Sequence, residues 1–386
     1  MATSRPCFVH VGLPKTGTSY LQSVLERSRG ALADQGVTVL PISTTAFTVM
    51  LDLRGQLRRD LDPPEAFEAL DRLAEDAASA PGERALMTQE LLSLCSTAQA
   101  TRLVESLPGH EVHLVVTVRD LATQLPSLWQ QHMKARGVTP FAAFVDRVTS
   151  GGSGDDAAGF DLLGVLEQWR GVVPPERVHV VTFPRPGAAP TLLLERFCQV
   201  IGVDPDPLDT SRSRSNPSIG MVQAELLRRV NLALGSRLPH PRAGYRGPGK
   251  KFLAETILIK QEGRPPRLPV RTRAWVEERS QALVEALRSG GYDVVGDLDE
   301  LLPDDSAFDD QLDEVTDAEL VDAATQALAE VLVDRHEGKA KRMELRRTVA
   351  DQRRRIKELE AGSGGASPRA VVGRVRRALR RDPSDD

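Results

Sequence analysis

Short, mostly apolar runs rich in Val, Ile and Leu punctuate the chain at residues 7–11, 37–40, 85–88, 112–118 and 178–183, each bounded by turn-forming residues. Runs of this length, with no alternating polar positions, predict strands buried on both faces. Between them lie longer stretches in which apolar residues recur at helical spacing, over 18–33, 64–78, 121–136, 160–170 and 189–201; these predict helices. Strands alternating with helices indicate a parallel sheet joined by right-handed crossovers. The expected fold class is α/β: a central parallel sheet of about five strands flanked by helices, a three-layer sandwich of the P-loop nucleotide-kinase kind.

Past residue 201 the strand pattern stops. Helices are predicted over 218–234 and 272–289, joined by a Pro-, Gly- and Arg-rich stretch at 238–251, and Gly290-Gly291 terminates the second. Residues 293–322 hold thirteen acidic side chains and no Lys or Arg, the composition of a solvated face, and lead into a helix over 316–333. Residues 337–360 read as a charged helix whose apolar positions are too sparse for a coiled coil. A Gly/Ser linker at 362–367 precedes a short basic amphipathic helix at 368–381. Its arginine-rich face suits an anionic membrane surface, and a solubilising tail is the plainer reading. The chain thus divides into a main domain over 1–300, an acidic helical extension over 301–335, a charged helix over 336–361 and a linker with basic tail over 362–386.

Charge narrows the function classes. Fifty Lys/Arg against 54 Asp/Glu give a net charge of −4 over 386 residues, which argues against a general nucleic-acid binder. The balance is uneven, since residues 336–386 carry 15 Lys/Arg against 8 Asp/Glu. Cys7, Cys95 and Cys198 are far apart and odd in number, a pattern that suits a reducing compartment and offers neither a disulfide framework nor a cysteine zinc site. No run approaches eighteen apolar residues. The expected location is cytoplasmic, with peripheral contact at the inner membrane face if the basic tail rests there.

The candidate chemistry lies in Phe8-Val9-His10-Val11-Gly12-Leu13-Pro14-Lys15-Thr16-Gly17-Thr18-Ser19. A strand runs through a glycine-bearing loop directly into a helix, which aims successive backbone N–H groups and the positive helix end at one point. Anions bind at such points. Lys15 adds a full charge, and Thr16, Thr18 and Ser19 add hydroxyls. The P-loop pattern requires lysine directly after its second glycine, but Thr18 holds that position and the lysine sits inside the loop. An ATPase or kinase reading fails at its most important side chain.

Pro14-Lys15-Thr16-Gly17-Thr18-Ser19 instead resembles the phosphosulfate-binding loop of sulfotransferases that use 3′-phosphoadenosine 5′-phosphosulfate (PAPS), P-K-[TS]-G-T-[TS] after a strand. A second element agrees. The strand at 112–118 ends in Arg119-Asp120, with Ser127 eight residues on, and in that family an Arg and a Ser so placed hold the cofactor's 3′-phosphate. Arg119 at a strand's carboxyl end faces the crevice where open parallel sheets bind ligands, and its planar fork suits phosphate; a salt bridge to Asp120 is the alternative.

The resemblance implies that Lys15, Thr16, Gly17, Thr18, Ser19, Arg119 and Ser127 bind PAPS, and that no metal is required. It also implies a His or Glu base just after the strand that precedes the 3′-phosphate strand. Glu90, after the strand at 84–88, is the candidate, in the manner of carbohydrate-type members; a first-turn helix acid is the alternative reading. His132 is the rival base, whereas His10, inside the first strand, reads as a hydrogen-bonded core residue. Lys15 and Glu90 are the expected catalytic pair. Fainter likeness continues at Phe183-Pro184-Arg185-Pro186-Gly187 and at Asn216-Pro217-Ser218, the latter as in the bacterial branch. It covers roughly residues 6–295. Cytosolic members close the cofactor site with R-K-G-x-x-G-x-x-K; here Arg246-Gly247-Pro248-Gly249-Lys250-Lys251 departs from that motif and reads as a solvated basic loop.

The implied activity is sulfuryl transfer from PAPS to a hydroxyl of a carbohydrate, glycolipid or other small alcohol, with acceptor specificity expected from loops at 44–59, 139–159 and 238–267. Two alternatives stay open. One is a nucleotide or small-molecule kinase in which Asp120 binds Mg²⁺, and the other is a non-catalytic nucleotide-binding module.

Overall fold

The computed structural model describes residues 4–151, 160–211, 218–238, 241–309 and 315–361. Six parallel strands form the sheet: β1 (Arg5–His10), β2 (Val37–Val39), β3 (Arg84–Thr88), β4 (His110–Val118), β5 (Val178–Thr182) and, after the two-residue β6 (Leu268–Pro269), β7 (Asp293–Val295). Their order is β2-β3-β1-β4-β5-β7, with β1 paired to β3 from Cys7↔Ala85 to His10↔Thr88 and to β4 from Arg5↔His110 to His10↔Val115. A separate two-stranded ladder joins β6 to β8 (Phe308–Asp309).

Strand periodicity builds the three layers. Cys7, Val9, Leu114, Val116 and Val180 point to one face and Phe8, Val115 and Val181 to the other, because neighbouring side chains on a strand point oppositely. The first face is covered by α3 (Ser43–Leu53), α4 (Ala69–Ala78), α5 (Thr97–Glu105), α8 (Leu162–Trp169) and α11 (Arg273–Ser289) through Met50, Leu73, Leu103, Trp169 and Leu287. The second is covered by α1 (Thr18–Arg27), α2 (Arg29–Asp34) and α9 (Leu192–Ile201) through Leu21, Leu25, Leu32 and Phe197. From the carboxyl end of β4 runs α6 (Leu121–Lys134), against which α7 (Phe141–Thr149) and α10 (Met221–Leu234) pack. Trp129 of α6 meets Phe141 of α7 at 5.0 Å between ring centroids.

The parallel sheet is as expected and carries a sixth strand, β7, whose two apolar residues make no run and which is held by pairing with β5 from His179↔Asp293 to Val181↔Val295. Other expectations need correction. The helix expected over 18–33 breaks at Ser28, whose hydroxyl accepts from the backbone N–H of Asp209 at 2.9 Å. The acidic stretch is not wholly a solvated face: Glu300 forms a two-pronged ion pair with Arg196 (2.6 and 3.0 Å), both side chains only 12–13% exposed. The three loops expected to carry specificity contain α3, α7 and a run of wide helical turns over Pro241–Ile257.

The chain divides into two compact units, Met1–Ala323 and Ala324–Asp386. The last helix, α12 (Asp317–Ala361), is continuous where two helices were expected. The loop at 152–159, Asn216 and Pro217, the Gly/Ser linker and the basic tail lie outside the described residues. Among those described, no helix is long and apolar enough to cross a membrane.

Replacing Glu300 by Ala strands a buried guanidinium between β5 and α9, so Glu300→Ala should lose about 3 kcal/mol of unfolding free energy. The midpoint of urea denaturation, compared with that of the wild type, measures it.

Candidate functional site

The carboxyl ends of β3, β1 and β4, three neighbours in the sheet, open into one crevice, and each is followed by a residue singled out from the sequence: Glu90, Lys15 and Arg119.

Past β1 the chain stays on β4, with Val11 N–H donating to Val115 O at 2.9 Å and Leu13 N–H to Thr117 O at 3.1 Å. It then turns sharply. Lys15 takes a left-handed backbone (φ 70) and so does Gly17 (φ 86), a conformation that glycine adopts freely and lysine does not. A Cβ on Gly17 would also lie 2.3 Å from Leu193 Cδ2. Gly17 is the N-cap of α1, and no side chain caps that end. The first N–H groups of a helix have no intrahelical acceptor, so α1 presents open donors to the crevice. Below the loop, the Thr16 hydroxyl lies 2.5 Å from Leu13 O and 2.7 Å from Thr117 Oγ1. His10 contacts Thr88 Oγ1 at 2.8 Å and Thr117 Oγ1 at 3.2 Å. Burial pushes the His10 pKa down to about 3. His10 is the bonded core residue expected of it, and neutral.

Glu90 opens a short 3₁₀ turn, Glu90–Leu94, after β3. One carboxylate oxygen accepts from the Thr18 hydroxyl of the β1 loop; the second has no hydrogen-bond partner among the described residues. Glu90 therefore joins Lys15 in one site. The rival, His132, is half-buried and meets Phe144 edge-on at 5.6 Å, on the side of α6 that packs against α7.

Arg119 follows β4. Its guanidinium lies 4.9 Å from the centroid of the Phe183 ring, a cation–π arrangement, and 3.9 Å from Asp120 Oδ2. Asp120 caps α6: Oδ1 accepts from Thr123 N–H at 2.9 Å and Oδ2 from the Thr123 hydroxyl. With both oxygens engaged, Asp120 is a helix cap and not a poised Mg²⁺ ligand. Ser127, half-buried two turns into α6, donates to Thr123 O at 3.0 Å and must turn its proton to meet a ligand. Gln124 ties the same helix to the loop, its Nε2 donating to Pro14 O at 3.0 Å. Ser19 is exposed beside the loop.

The electrostatics are those of an anion site. Burial, then repulsion from Lys134 and Arg119, pushes the Lys15 ammonium down to about 8 against the opposing pull of Glu90, with Lys250 adding to the repulsion. Burial likewise lowers Arg119, partly offset by Asp120. Sequence reasoning did not single out Lys134. A lysine in the last turn of a helix looks like any solvated charge complementing the dipole; the available signal was its spacing of seven from Ser127, which places both on one stripe of α6. Lys250 is half-buried and close enough to act on both lysines, so it is not the solvated loop residue expected.

No family model and no curated protein matches the chain. Among solved structures it is similar to a sulfotransferase from Alicyclobacillus acidocaldarius, at 17% sequence identity and a TM-score of 0.36, covering 55% of this chain and 87% of that one. So distant a likeness carries no argument about activity, which rests on the residues themselves.

An anion binds the charged form of Lys15, so affinity should be flat below about pH 8 and fall as pH rises through and beyond the value to which Lys15 is lowered. The limiting slope is about tenfold per pH unit. Calorimetric titration with inorganic sulfate between pH 6.5 and 9.5 measures the fall, and Lys15→Arg should flatten it.

Proposed function

We propose that the protein is a sulfotransferase that moves the sulfuryl group of PAPS to an acceptor hydroxyl. The observation that carries this reading is the meeting of Lys15, Glu90 and Arg119 at the carboxyl ends of three adjacent strands, with an uncapped helix end between them. Two cationic poles separated by one strand spacing suit a nucleotide that is anionic at both ends. The Glu90 carboxylate, on the other side of Lys15 from Arg119, supplies a base.

The residues fit such a donor. Lys15 makes no hydrogen bond or ion pair among the described residues, and the open N–H groups of α1 add directed donors for a phosphosulfate. Arg119 and Ser127 hold the 3′-phosphate, and binding energy from that remote group orients the reacting end. Phe183 backs the Arg119 guanidinium.

Glu90 takes the proton of the acceptor hydroxyl through its unpartnered oxygen while Thr18 steadies the other. The acceptor oxygen forms a bond to sulfur as the bond from sulfur to the 5′-phosphate oxygen breaks; that oxygen keeps the electron pair. The products are a sulfate ester, adenosine 3′,5′-bisphosphate and a proton on Glu90. Lys15 and the α1 donors stabilise the charge growing on the departing phosphate, the kind of term that dominates many enzymes. Nothing in this scheme asks for a metal, and Asp120 is spent on capping α6. A carbohydrate, glycolipid or small alcohol supplies the hydroxyl.

Calorimetry should show binding of adenosine 3′,5′-bisphosphate and none of ATP with Mg²⁺. In sulfuryl transfer from radiolabelled PAPS, Glu90→Gln should lower kcat by about 10²–10⁴-fold and Lys15→Ala by about 10²–10³-fold. Arg119→Ala should act chiefly by raising the KM for PAPS. Undiminished turnover in both Lys15→Ala and Arg119→Ala would overturn the assignment.

A further inference from the structure

Lys134 is a cation in an expensive place. Its residue is 5% exposed, and its ammonium makes no hydrogen bond or ion pair among the described residues. A charge so nearly enclosed and without a paired acid is a destabilising feature of a fold. Glu255 is the acid that pulls on it, but that residue is exposed and stands beyond ion-pair distance, while Lys250 repels it. Packing does not demand a lysine here, for a methionine would fill similar space.

The surroundings hold this charge where it is. Just past Lys134, Arg136 takes a left-handed backbone (φ 79) and donates to the carbonyls of Leu238 and Gly235. Asn231 of α10 donates to Met133 O and Gly137 O, both at 2.9 Å. Its own side-chain oxygen accepts from Tyr245 at 2.6 Å. Tyr245 is 1% exposed and carries the 241–257 turns back over the end of α6. Gly249 lies flat on that ring, where a Cβ would be 2.2 Å from Tyr245 Cε2, and so delivers Lys250 to the crevice. Two cations from separate segments thus converge beside Lys15.

The donor's ends are already provided for, by Lys15 with the α1 donors and by Arg119 with Ser127. Lys134 lies two turns beyond Ser127 on the same stripe of α6, roughly 10 Å along the helix axis, yet it is the largest charge repelling Lys15. Lys15 holds the end of the donor that reacts, so Lys134 stands beside that end. We infer that Lys134, with Lys250 over it, binds an acidic group on the acceptor, so that the substrate class is hydroxyl compounds bearing a carboxylate, phosphate or sulfate near the hydroxyl that is modified. This rests on the sulfuryl-transfer reading and names its substrate class.

Inorganic sulfate is the probe. Titrated at pH 7 into protein saturated with PAPS, whose own sulfuryl position is filled, sulfate should bind the wild type and bind at least tenfold more weakly to Lys134→Met. PAPS and adenosine 3′,5′-bisphosphate affinities should change less than threefold in that variant, and its melting temperature should rise, because a stranded charge has been removed. No sulfate binding to the PAPS-loaded wild type would overturn the inference. So would equal binding in the variant, or a tenfold loss of PAPS affinity, which would give Lys134 to the donor. If PAPS itself does not bind, the sulfuryl-transfer reading fails separately. Sulfate titrated into unloaded Lys15→Met and Lys134→Met then decides whether Lys134 is an anion site: loss in Lys134→Met with retention in Lys15→Met supports it, and retention in both rejects it.

Discussion

The crevice depends on one backbone event, the left-handed turn through Lys15 and Gly17. A non-glycine residue in that region stores of order 1–3 kcal/mol of strain, and it persists because its surroundings leave no alternative. Val11 and Leu13 are held on β4, the Thr16 hydroxyl is clamped between Leu13 O and Thr117, and Gly17 is pressed against Leu193. The turn releases the end of α1 from any side-chain cap and brings Lys15 to the mouth of that end. Without it, helix donors and lysine would not address the same point.

Around that point positive charge is gathered and partly dried. Lys15, Arg119 and Lys134 all have their charged forms disfavoured by burial, which the acids nearby offset only in part. Asp120 caps a helix, Glu90 holds Thr18, and Glu255 is exposed. Like charges crowded into a place of low polarity raise the free energy of the ligand-free protein, and an anion relieves it. The same arrangement that lowers the Lys15 pKa makes the site receptive to phosphate and sulfate.

Helix α6 sets the dimensions. Its cap, Asp120, adjoins Arg119; its first turn is tied to the loop by Gln124; Ser127 and Lys134 share one stripe; and its far end anchors α10 and the 241–257 turns through Asn231 and Tyr245. A single rigid element thereby spaces the distal phosphate contacts from the cations at the reacting end. Strength at α6 translates into precision in the crevice.

The alternation of apolar runs and amphipathic stretches determined the sheet, its parallel sense and five of its six strands, because a strand buried on both faces and a helix buried on one leave unmistakable local patterns. The loop of Lys15, Glu90, Arg119 and Ser127 was legible for a related reason: each follows a predicted strand, and parallel strands put their carboxyl ends together. Helix α5 went unread, although Ser96 and Gln99 form the capping box that marks its start. Other features had no local mark. Val294 and Val295 alone make no apolar run, so β7 waited for its partner β5. The burial of Glu300 depends on Arg196, more than a hundred positions away, and the isolation of Lys134 depends on chain returning from 241–257. Pairing and desolvation are properties of what surrounds a residue, and only the folded chain supplies those surroundings.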